Sequence, residues 1–484
     1  MQLASTTADD ATEPGQRLRL RSAANQPAAA GVIAFVVALG LVVARLVLLA
    51  GRDVTGFMLV GNEFARPSQL PAGVRVFRYS GYDGQFYYRM ALDPANLHRT
   101  ANGITMDYSY RFVRIGYSAL AWVVSAGQHS FVPFALVAIN IVAFGLLGLL
   151  GGMLARESGR HAMWGLLLAG YFGLMTGVSR DLTEPLGAVC LLAGILAYRR
   201  RHPVLAAAAF AYGCLTRETV LIAPIALFIV RIVPIVRRRA RPSADDLAWL
   251  VPGVVFVAWE VVLKAATGVF PILSDGGKNA GVPLTAAVRA VLHNFAHPTA
   301  PISGAPGAVI IWDLEIAVLG VFAIAALWSL RTTTVPVYER VAFLLYLVEM
   351  FSLAPTNWDG YADLRSFVEV YLLAGLILLG TPRRRLAAFA ACAAPLLVTV
   401  AIYRTQIWLA GRTVPGALFP GPQAIEQVGL PDQHRVGAGV VGRRWRAEDV
   451  AHLGAVHPVV EETRLAVEHH EVGLRRARVE PGAL

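Results

Sequence analysis

Charge is scarce in this chain of 484 residues. Only 15% of positions are Asp, Glu, Lys or Arg, against about 25% in an ordinary soluble domain. Cysteine is scarcer still, and all three (Cys190, Cys214 and Cys392) lie in apolar stretches. Their spacing fits no zinc pattern and builds no disulfide framework, so each reads as a small buried hydrophobe. No glycine-rich loop with phosphate-cradling spacing occurs, which removes the nucleotide-driven enzymes built on that loop. No short apolar core with a small-residue cleavage site follows the start. The stretch Met1 to Gln26 is polar, carries Arg17, Arg19 and Arg21, and reads as an uncleaved cytoplasmic segment. No repeat period or inverted-half symmetry is evident, which counts against a transporter built on inverted repeats.

Hydrophobic sequence fills the space, at 56% of positions. Long apolar runs recur over most of the length, so an all-α polytopic membrane protein is predicted. The formal charge is +11, and it arrives in bursts between apolar runs: Arg199-Arg200-Arg201, Arg237-Arg238-Arg239 and Arg383-Arg384-Arg385. Such bursts mark cytoplasmic loops rather than a nucleic-acid face.

The apolar segments are 28–50, 112–127, 131–153, 162–178, 184–198, 203–216, 219–236, 247–267, 307–330, 338–354, 364–380 and 385–409. If every one crossed, the first two arginine bursts would land outside. The weakest, 112–127, begins Phe112-Val113-Arg114 and holds Gly116, Ser118 and Ser125. Laid along the outer interface as an amphipathic helix, it puts every burst inside. The expectation is a bundle of about eleven spans, each about 20 residues, with an inside N-terminus and an outside C-terminus. The large outer loops are then 51–111 and 268–306. The chain divides into a cytoplasmic segment 1–27, a transmembrane module 28–240, a second module 241–409 and a weakly ordered tail 410–484. The tail's His469-His470 pair reads as solvated rather than metal-binding.

Ionisable groups near lipid are costly and tend to mark function. Arg114, Arg180, Asp181, Glu184, Arg217, Glu218, Glu260, Lys264, Asp313, Glu315, Asp363, Arg365 and Glu369 all fall toward outer ends, with Glu349 somewhat deeper. They converge beside Gly81-Tyr82-Asp83-Gly84-Gln85-Phe86-Tyr87-Tyr88. A carboxylate on an aromatic turn at the lip of a membrane bundle is a candidate general base. Asp83 equally suits a plain helix N-cap ahead of 84–92. Glu260 and Lys264, four apart, read as an ion pair. Asp313 and Glu315 after Trp312 suit an interfacial belt. Asp181 and Glu184, just before Pro185, suit a helix N-terminus. Arg217 sits in the polar break Leu215-Thr216-Arg217-Glu218-Thr219, where Glu218 is placed to neutralise it locally.

The ordered set of motifs resembles a family. It runs Tyr82 to Tyr88, then Tyr110-Arg111-Phe112-Val113-Arg114-Ile115-Gly116-Tyr117, then Arg180-Asp181-Leu182-Thr183-Glu184-Pro185, then Leu215 to Thr219. Over 28–240 this is similar to the GT-C superfamily of integral membrane glycosyltransferases, and nearest to bacterial relatives of the GPI mannosyltransferases and of the aminoarabinose and protein O-mannosyl transferases. The resemblance implies a catalytic module at 28–240 in a multi-pass protein of a bacterial plasma membrane, with its active site on the outer face. It implies a sugar carried on a polyprenyl phosphate and an acceptor hydroxyl on glycan, lipid or protein. The sequence calls for no cofactor beyond that substrate; no metal-ligand cluster stands out, and dependence on a divalent metal is left open. The resemblance matches Asp83 to the base and Asp181 to a second acidic site, with Glu184 beside it. Arg217 and Arg180 match the phosphate-holding positions, with Arg111 and Arg114 as further contacts. Tyr82, Gln85, Tyr87 and Tyr88 fall in the sugar pocket. Several family members carry paired acids in the first loop; here Gly84 follows Asp83.

The chemistry needs few parts. The acceptor hydroxyl loses its proton to a carboxylate as it attacks the anomeric carbon. The phosphate leaves charged and needs fixed cations rather than an acid. Direct displacement inverts the anomeric centre, whereas a second carboxylate at about 5 Å and a covalent intermediate would retain it. The rival readings are a transporter or flippase for a lipid-linked sugar, which needs a midplane polar path, and a scaffold, which leaves the clustered charges unexplained.

Overall fold

The computed structural model describes residues 25–78, 80–274, 276–297, 308–358, 364–390 and 393. The expectations for 1–24, Asp363, Cys392, most of 385–409, and the tail 410–484 with His469 and His470 concern residues outside these.

The chain is an all-helical membrane protein. Among the described residues, the α-helices of eight residues or more are α1 (Pro27–Leu48), α2 (Gly84–Leu92), α3 (Ile115–Val124), α4 (Val132–Glu157), α5 (Phe172–Ser179), α6 (Glu184–Arg199), α7 (Pro203–Thr216), α8 (Ile222–Val236), α9 (Leu247–Thr267), α10 (Thr285–Ala296), α11 (Ala308–Ser329), α12 (Val337–Phe351) and α13 (Val368–Leu379). Proline opens α1, α4, α6 and α7, where its missing N–H would have had no helical partner. Gly268, at φ +83, closes α9 in the left-handed conformation that suits glycine.

The helices share two ends. At one, Arg199 at the end of α6 pairs with Glu339 in the first turn of α12 and lies 3.8 Å from Glu157 at the end of α4. Arg231 of α8 pairs at 2.9 Å with Asp246, just ahead of α9. Arg160 donates at 3.0 Å to the Leu379 carbonyl that ends α13. Each of the three arginine bursts follows a helix that finishes at this end. The opposite end carries the loop between α1 and α4, the start of α6, the end of α7 and the start of α13.

Among the described residues, five helices are long and apolar enough to cross a membrane: Pro27–Leu48, Val132–Glu157, Glu218–Val236, Ala244–Thr267 and Val309–Ser329. A sixth is counted if Ala162–Ala169 and α5, which meet at 63°, form one broken span. The remaining helices that run between the two ends, α6, α7, α12 and α13, have 16, 14, 15 and 12 residues. At about 1.5 Å per residue they reach roughly 18–24 Å, short of a hydrocarbon layer of about 30 Å. Among the described residues, helix length and composition alone support five or six spans, and a count of about eleven would need these shorter helices to cross as well. Polar groups at the site shorten two of them: α6 begins at Glu184, and α13 begins only after Arg365-Ser366-Phe367.

The loop after α1 is built, not loose. β1 (Val60–Gly61) pairs in parallel with β2 (Val76–Phe77), and β3 (Thr100–Ala101) pairs antiparallel with β4 (Ile104–Thr105). A tight turn, Ser109–Arg114, then leads into α3. The interfacial helix expected over 112–127 is thus split at Arg114. Its inner face, Ile115 to Ser118 with Ala121, is buried, while Trp122, Val123 and Val124 are exposed. A Cβ on Gly116 would stand 2.6 Å from the Thr216 hydroxyl oxygen, so α3 meets the end of α7 as closely as glycine permits. The Tyr212 hydroxyl donates to the Gly116 carbonyl at 2.7 Å and ties the same joint.

Candidate functional site

Two glycines set the position of Asp83. Gly81 takes φ +78, and a Cβ there would lie 2.5 Å from the Leu59 carbonyl oxygen. A Cβ on Gly84 would lie 2.4 Å from the carbonyl oxygen of Arg180 and 2.9 Å from that of Met58. The start of α2 is therefore pressed directly on the 180–183 turn. This accounts for Gly84 where a second acid was looked for: no side chain fits. Gln85 fastens the turn further, accepting from Gly61 N–H at 3.0 Å and donating to the Ser80 carbonyl at 2.9 Å.

Asp83 precedes α2 but makes no capping hydrogen bond. Its carboxylate turns instead to two guanidiniums. Oδ1 lies 2.9 Å from Arg111 Nη2, and Oδ2 accepts from Arg365 Nη2. Arg365 Nη1 donates at 3.0 Å to Glu184 Oε1, which also accepts from Arg217 Nη1 at 2.9 Å. Arg217 Nε donates to Glu369 Oε1 at 2.6 Å. Arg111 in turn donates to both oxygens of Asp107, at 3.1 and 2.9 Å. Carboxylate and guanidinium thus alternate along Asp107, Arg111, Asp83, Arg365, Glu184, Arg217 and Glu369. Beside this chain Arg114 grips Glu218 at 2.8 and 2.7 Å, and the Tyr110 hydroxyl donates to the same carboxylate.

These groups face a cavity of about 720 Å³. Asp83, Arg111, Arg114, Glu184, Arg217, Glu218, Glu349 and Arg365 form its charged wall. Leu221, Ile222 and Ile225 at the start of α8, with Phe256 of α9 and Ile272, form an apolar wall. Ile225 is 42% exposed, so that wall continues to the outer surface of the bundle. Burial alone would push the Asp83 pKa up; Arg111 and Arg365 overcome it and hold the carboxyl well below the usual range.

The structure brings together Asp83, Glu184, Arg217, Arg111, Arg114, Tyr82 and Gln85 around this cavity. It places the other candidates elsewhere. Asp181 is fully buried at φ +51, outside the cavity wall, with neither carboxylate oxygen hydrogen-bonded. The charge acting on it is Arg45 of α1. Arg180 also lies off the wall, with its guanidinium 4.3 Å from the Tyr82 ring centre. Tyr82 is flanked as well by Arg365, at 5.1 Å. Tyr87 and Tyr88 are buried behind the wall, Tyr87 accepting from Arg114 Nη1 at 3.3 Å.

Two local pairings differ from expectation. Glu218 binds Arg114, not the neighbouring Arg217. Arg217 is extended (φ −154, ψ 116) where Glu218 starts a helical turn, so adjacent side chains diverge. Glu260 and Lys264 do not pair either: Glu260 accepts from Ile272 N–H at 3.4 Å, and the Lys264 ammonium sits 4.4 Å from the Phe270 ring centre. The largest omission is Arg365, which joins Asp83 to Glu184 across 282 and 181 positions of sequence. It was visible as a charge at a span end, yet no local pattern tied it to the first loop. Glu369 and Glu349 were visible in the same way.

No protein-family model, curated protein or solved structure matches this chain.

Proposed function

We propose that the chain is a GT-C-type membrane glycosyltransferase that moves a sugar from a polyprenyl-phosphate donor to an acceptor hydroxyl, with Asp83 as general base. One observation carries the reading: a carboxylate flanked by two guanidiniums stands in a chamber whose opposite wall is apolar and belongs to membrane helices. A polyprenyl-phosphate sugar has that order of parts, with a hydrocarbon chain, then an anion, then a polyhydroxylated ring. In this reading the apolar wall of α8 and α9 receives the lipid, Arg111 and Arg365 meet the phosphate, and Tyr82 and Asp83 face the sugar and the attacking hydroxyl.

Exposure favours Arg111 and Arg365 over Arg217 as the phosphate site. Their side chains are 18% and 14% exposed, whereas that of Arg217 is 4% and is held by Glu184 and Glu369. The reaction forms one bond, from acceptor oxygen to anomeric carbon, and breaks one, from that carbon to the phosphate oxygen. The electron pair leaves with the phosphate and the proton passes to a carboxylate. Attack from the face opposite the phosphate inverts the centre. The finer topology of about eleven spans, with the cavity at the outer face of a bacterial plasma membrane and the arginine bursts in the cytoplasm, belongs to this proposal.

The test is purified protein in lipid, incubated with a panel of polyprenyl-phosphate sugars and, separately, nucleotide sugars. Release of polyprenyl phosphate with sugar transfer from one lipid donor is expected. Transfer from nucleotide sugars alone, or carriage of intact lipid-linked sugar across the bilayer without cleavage, refutes it.

A further inference from the structure

The proposed reaction needs a guanidinium for the phosphate and a carboxylate for the acceptor proton, but in this structure those groups are bonded to each other. We propose that Asp83 and the donor phosphate compete for Arg365 and Arg111, so that arrival of the phosphate is what releases Asp83 to act as base. This rests on the reading of the cavity as a polyprenyl-phosphate glycosyltransferase site.

The hydrogen bonds set the donor phosphate and Asp83 against the same nitrogens. Every arginine on the cavity wall already donates to carboxylates. Arg114 spends Nε and Nη2 on Glu218. Arg217 spends Nε on Glu369 and Nη1 on Glu184, and its Nη2 goes to the Ser366 carbonyl. Arg111 gives Nε and Nη2 to Asp107, and its Nη2 lies 2.9 Å from Asp83 Oδ1 as an ion pair. Arg365 gives Nη1 to Glu184 and Nη2 to Asp83. A two-point grip on one guanidinium uses Nη2, paired with Nε or with Nη1, and on both Arg111 and Arg365 it is Nη2 that stands against Asp83.

At Arg365, which holds Glu184 and Asp83, burial decides which carboxylate yields. The side chains of Glu184 and Glu369 are 1% and 2% exposed, and stripping either of its guanidinium would leave a charge in a low-dielectric interior. Asp83 is 13% exposed and faces the cavity, where an acceptor hydroxyl can replace the lost N–H donors. Arg365 is built for the exchange. Its Nη1 bond to the buried Glu184 keeps the guanidinium plane aimed while Nη2 changes partner. Arg365 is in this sense a positioning residue for Asp83 before the exchange and a phosphate ligand after it.

The exchange couples two events that the chemistry needs together. With both cations on its oxygens, the Asp83 carboxylate is a weak proton acceptor. With the cations drawn to phosphate, its basicity rises while the leaving group is being stabilised. Asp83 then takes the hydroxyl proton, becoming neutral, as the phosphodiester monoanion becomes a departing monoester dianion.

The test is equilibrium binding of sugar-free polyprenyl phosphate to the full-length protein in lipid nanodiscs, with polyprenol as the control for the lipid chain. Asp83→Asn should bind polyprenyl phosphate about ten- to hundredfold tighter than wild type, the worth of one charge-assisted hydrogen bond no longer contested, with polyprenol binding unchanged. Asp83→Ala should shift in the same direction, which guards against a folding defect peculiar to either variant. Adding Arg365→Gln to Asp83→Asn should erase the gain. Unchanged or weaker phosphate binding in both Asp83 variants overturns the exchange. If wild type transfers sugar from a lipid donor and the variants gain no affinity, the exchange fails and the functional reading stands. If wild type transfers from no lipid donor, the reading itself fails.

Discussion

Arg217→Ala separates a structural role from a phosphate-binding one. Arg217 ends α7, and its guanidinium holds Glu184, the first residue of α6, together with Glu369 in the first turn of α13. Three helices meet on one side chain, and both carboxylates are all but inaccessible to solvent. In the alanine variant Glu184 keeps Arg365, but Glu369 Oε1 keeps only the Thr219 hydroxyl, at 2.7 Å. One buried carboxylate thus loses its counter-charge, a change that costs about 3–5 kcal/mol where a buried pair is broken. Arg217→Ala with Glu369→Gln removes the stranded charge as well and should restore more than half of that loss. The assay is built in. Cys190 on α6 and Cys214 on α7 are buried free thiols, so a thiol-reactive dye, in a Cys392→Ser background, reports opening of this junction during denaturant or thermal unfolding. Arg217→Ala should label at clearly milder conditions than wild type, and the double variant close to wild type. Labelling indistinguishable from wild type, with loss of polyprenyl-phosphate binding instead, would refute the argument and return Arg217 to the phosphate.

Gly84→Ala forces a Cβ against two backbone carbonyls, an overpacking worth about 1–3 kcal/mol, and should displace Asp83 enough to cut sugar transfer sharply. Gly40→Ala, whose Cβ meets nothing within 4 Å, should leave transfer unchanged. Asp181→Asn should keep both stability and transfer, because the side chain is off the cavity wall and asparagine tolerates positive φ. Burial raises the Asp181 pKa, with Arg45 opposing, so the stability that its neutral form contributes is lost as pH rises; the Asn variant should gain on wild type in alkaline unfolding curves. The Asp83 pKa is lowered, so the opposite sign applies. Its ion pairs stabilise fully above the unfolded carboxylate value of about 3.9 and are lost as pH falls below that. The stability difference between wild type and Asp83→Asn should be flat from pH 5 to 8 and shrink in acid. A difference that varies through neutrality would contradict the double ion pair.

How much was legible in the sequence differs between the fold and the site. Amphipathic breaks and arginine bursts sufficed to recognise a helical membrane protein, because a low-dielectric solvent permits few alternatives. Apolar runs did not give helix lengths. The segment 364–380 opens on a tight turn at Arg365–Phe367 that leaves α13 only 12 residues. At the site, the loops holding Asp83, Arg111, Arg114, Glu184 and Arg217 were all identifiable as polar interruptions. Their partners were not. Neighbours in the chain suggested Arg217 with Glu218 and Glu260 with Lys264; the backbone turned the first two side chains apart, and on α9 Glu260 met the Ile272 N–H and Lys264 the Phe270 ring instead.

Sequence by itself determined that the chain is helical, apolar, segmented by basic bursts, and charged at breaks between its apolar runs. These follow from composition and period, which are properties of the chain alone. Only the tertiary structure decided that Arg365 reaches Asp83, that Asp181 is buried off the cavity wall, and that every guanidinium on the cavity wall is already committed to a carboxylate. Those facts depend on which helix ends are brought together, and electrostatic partnership between side chains hundreds of residues apart is set by that meeting rather than by any local pattern.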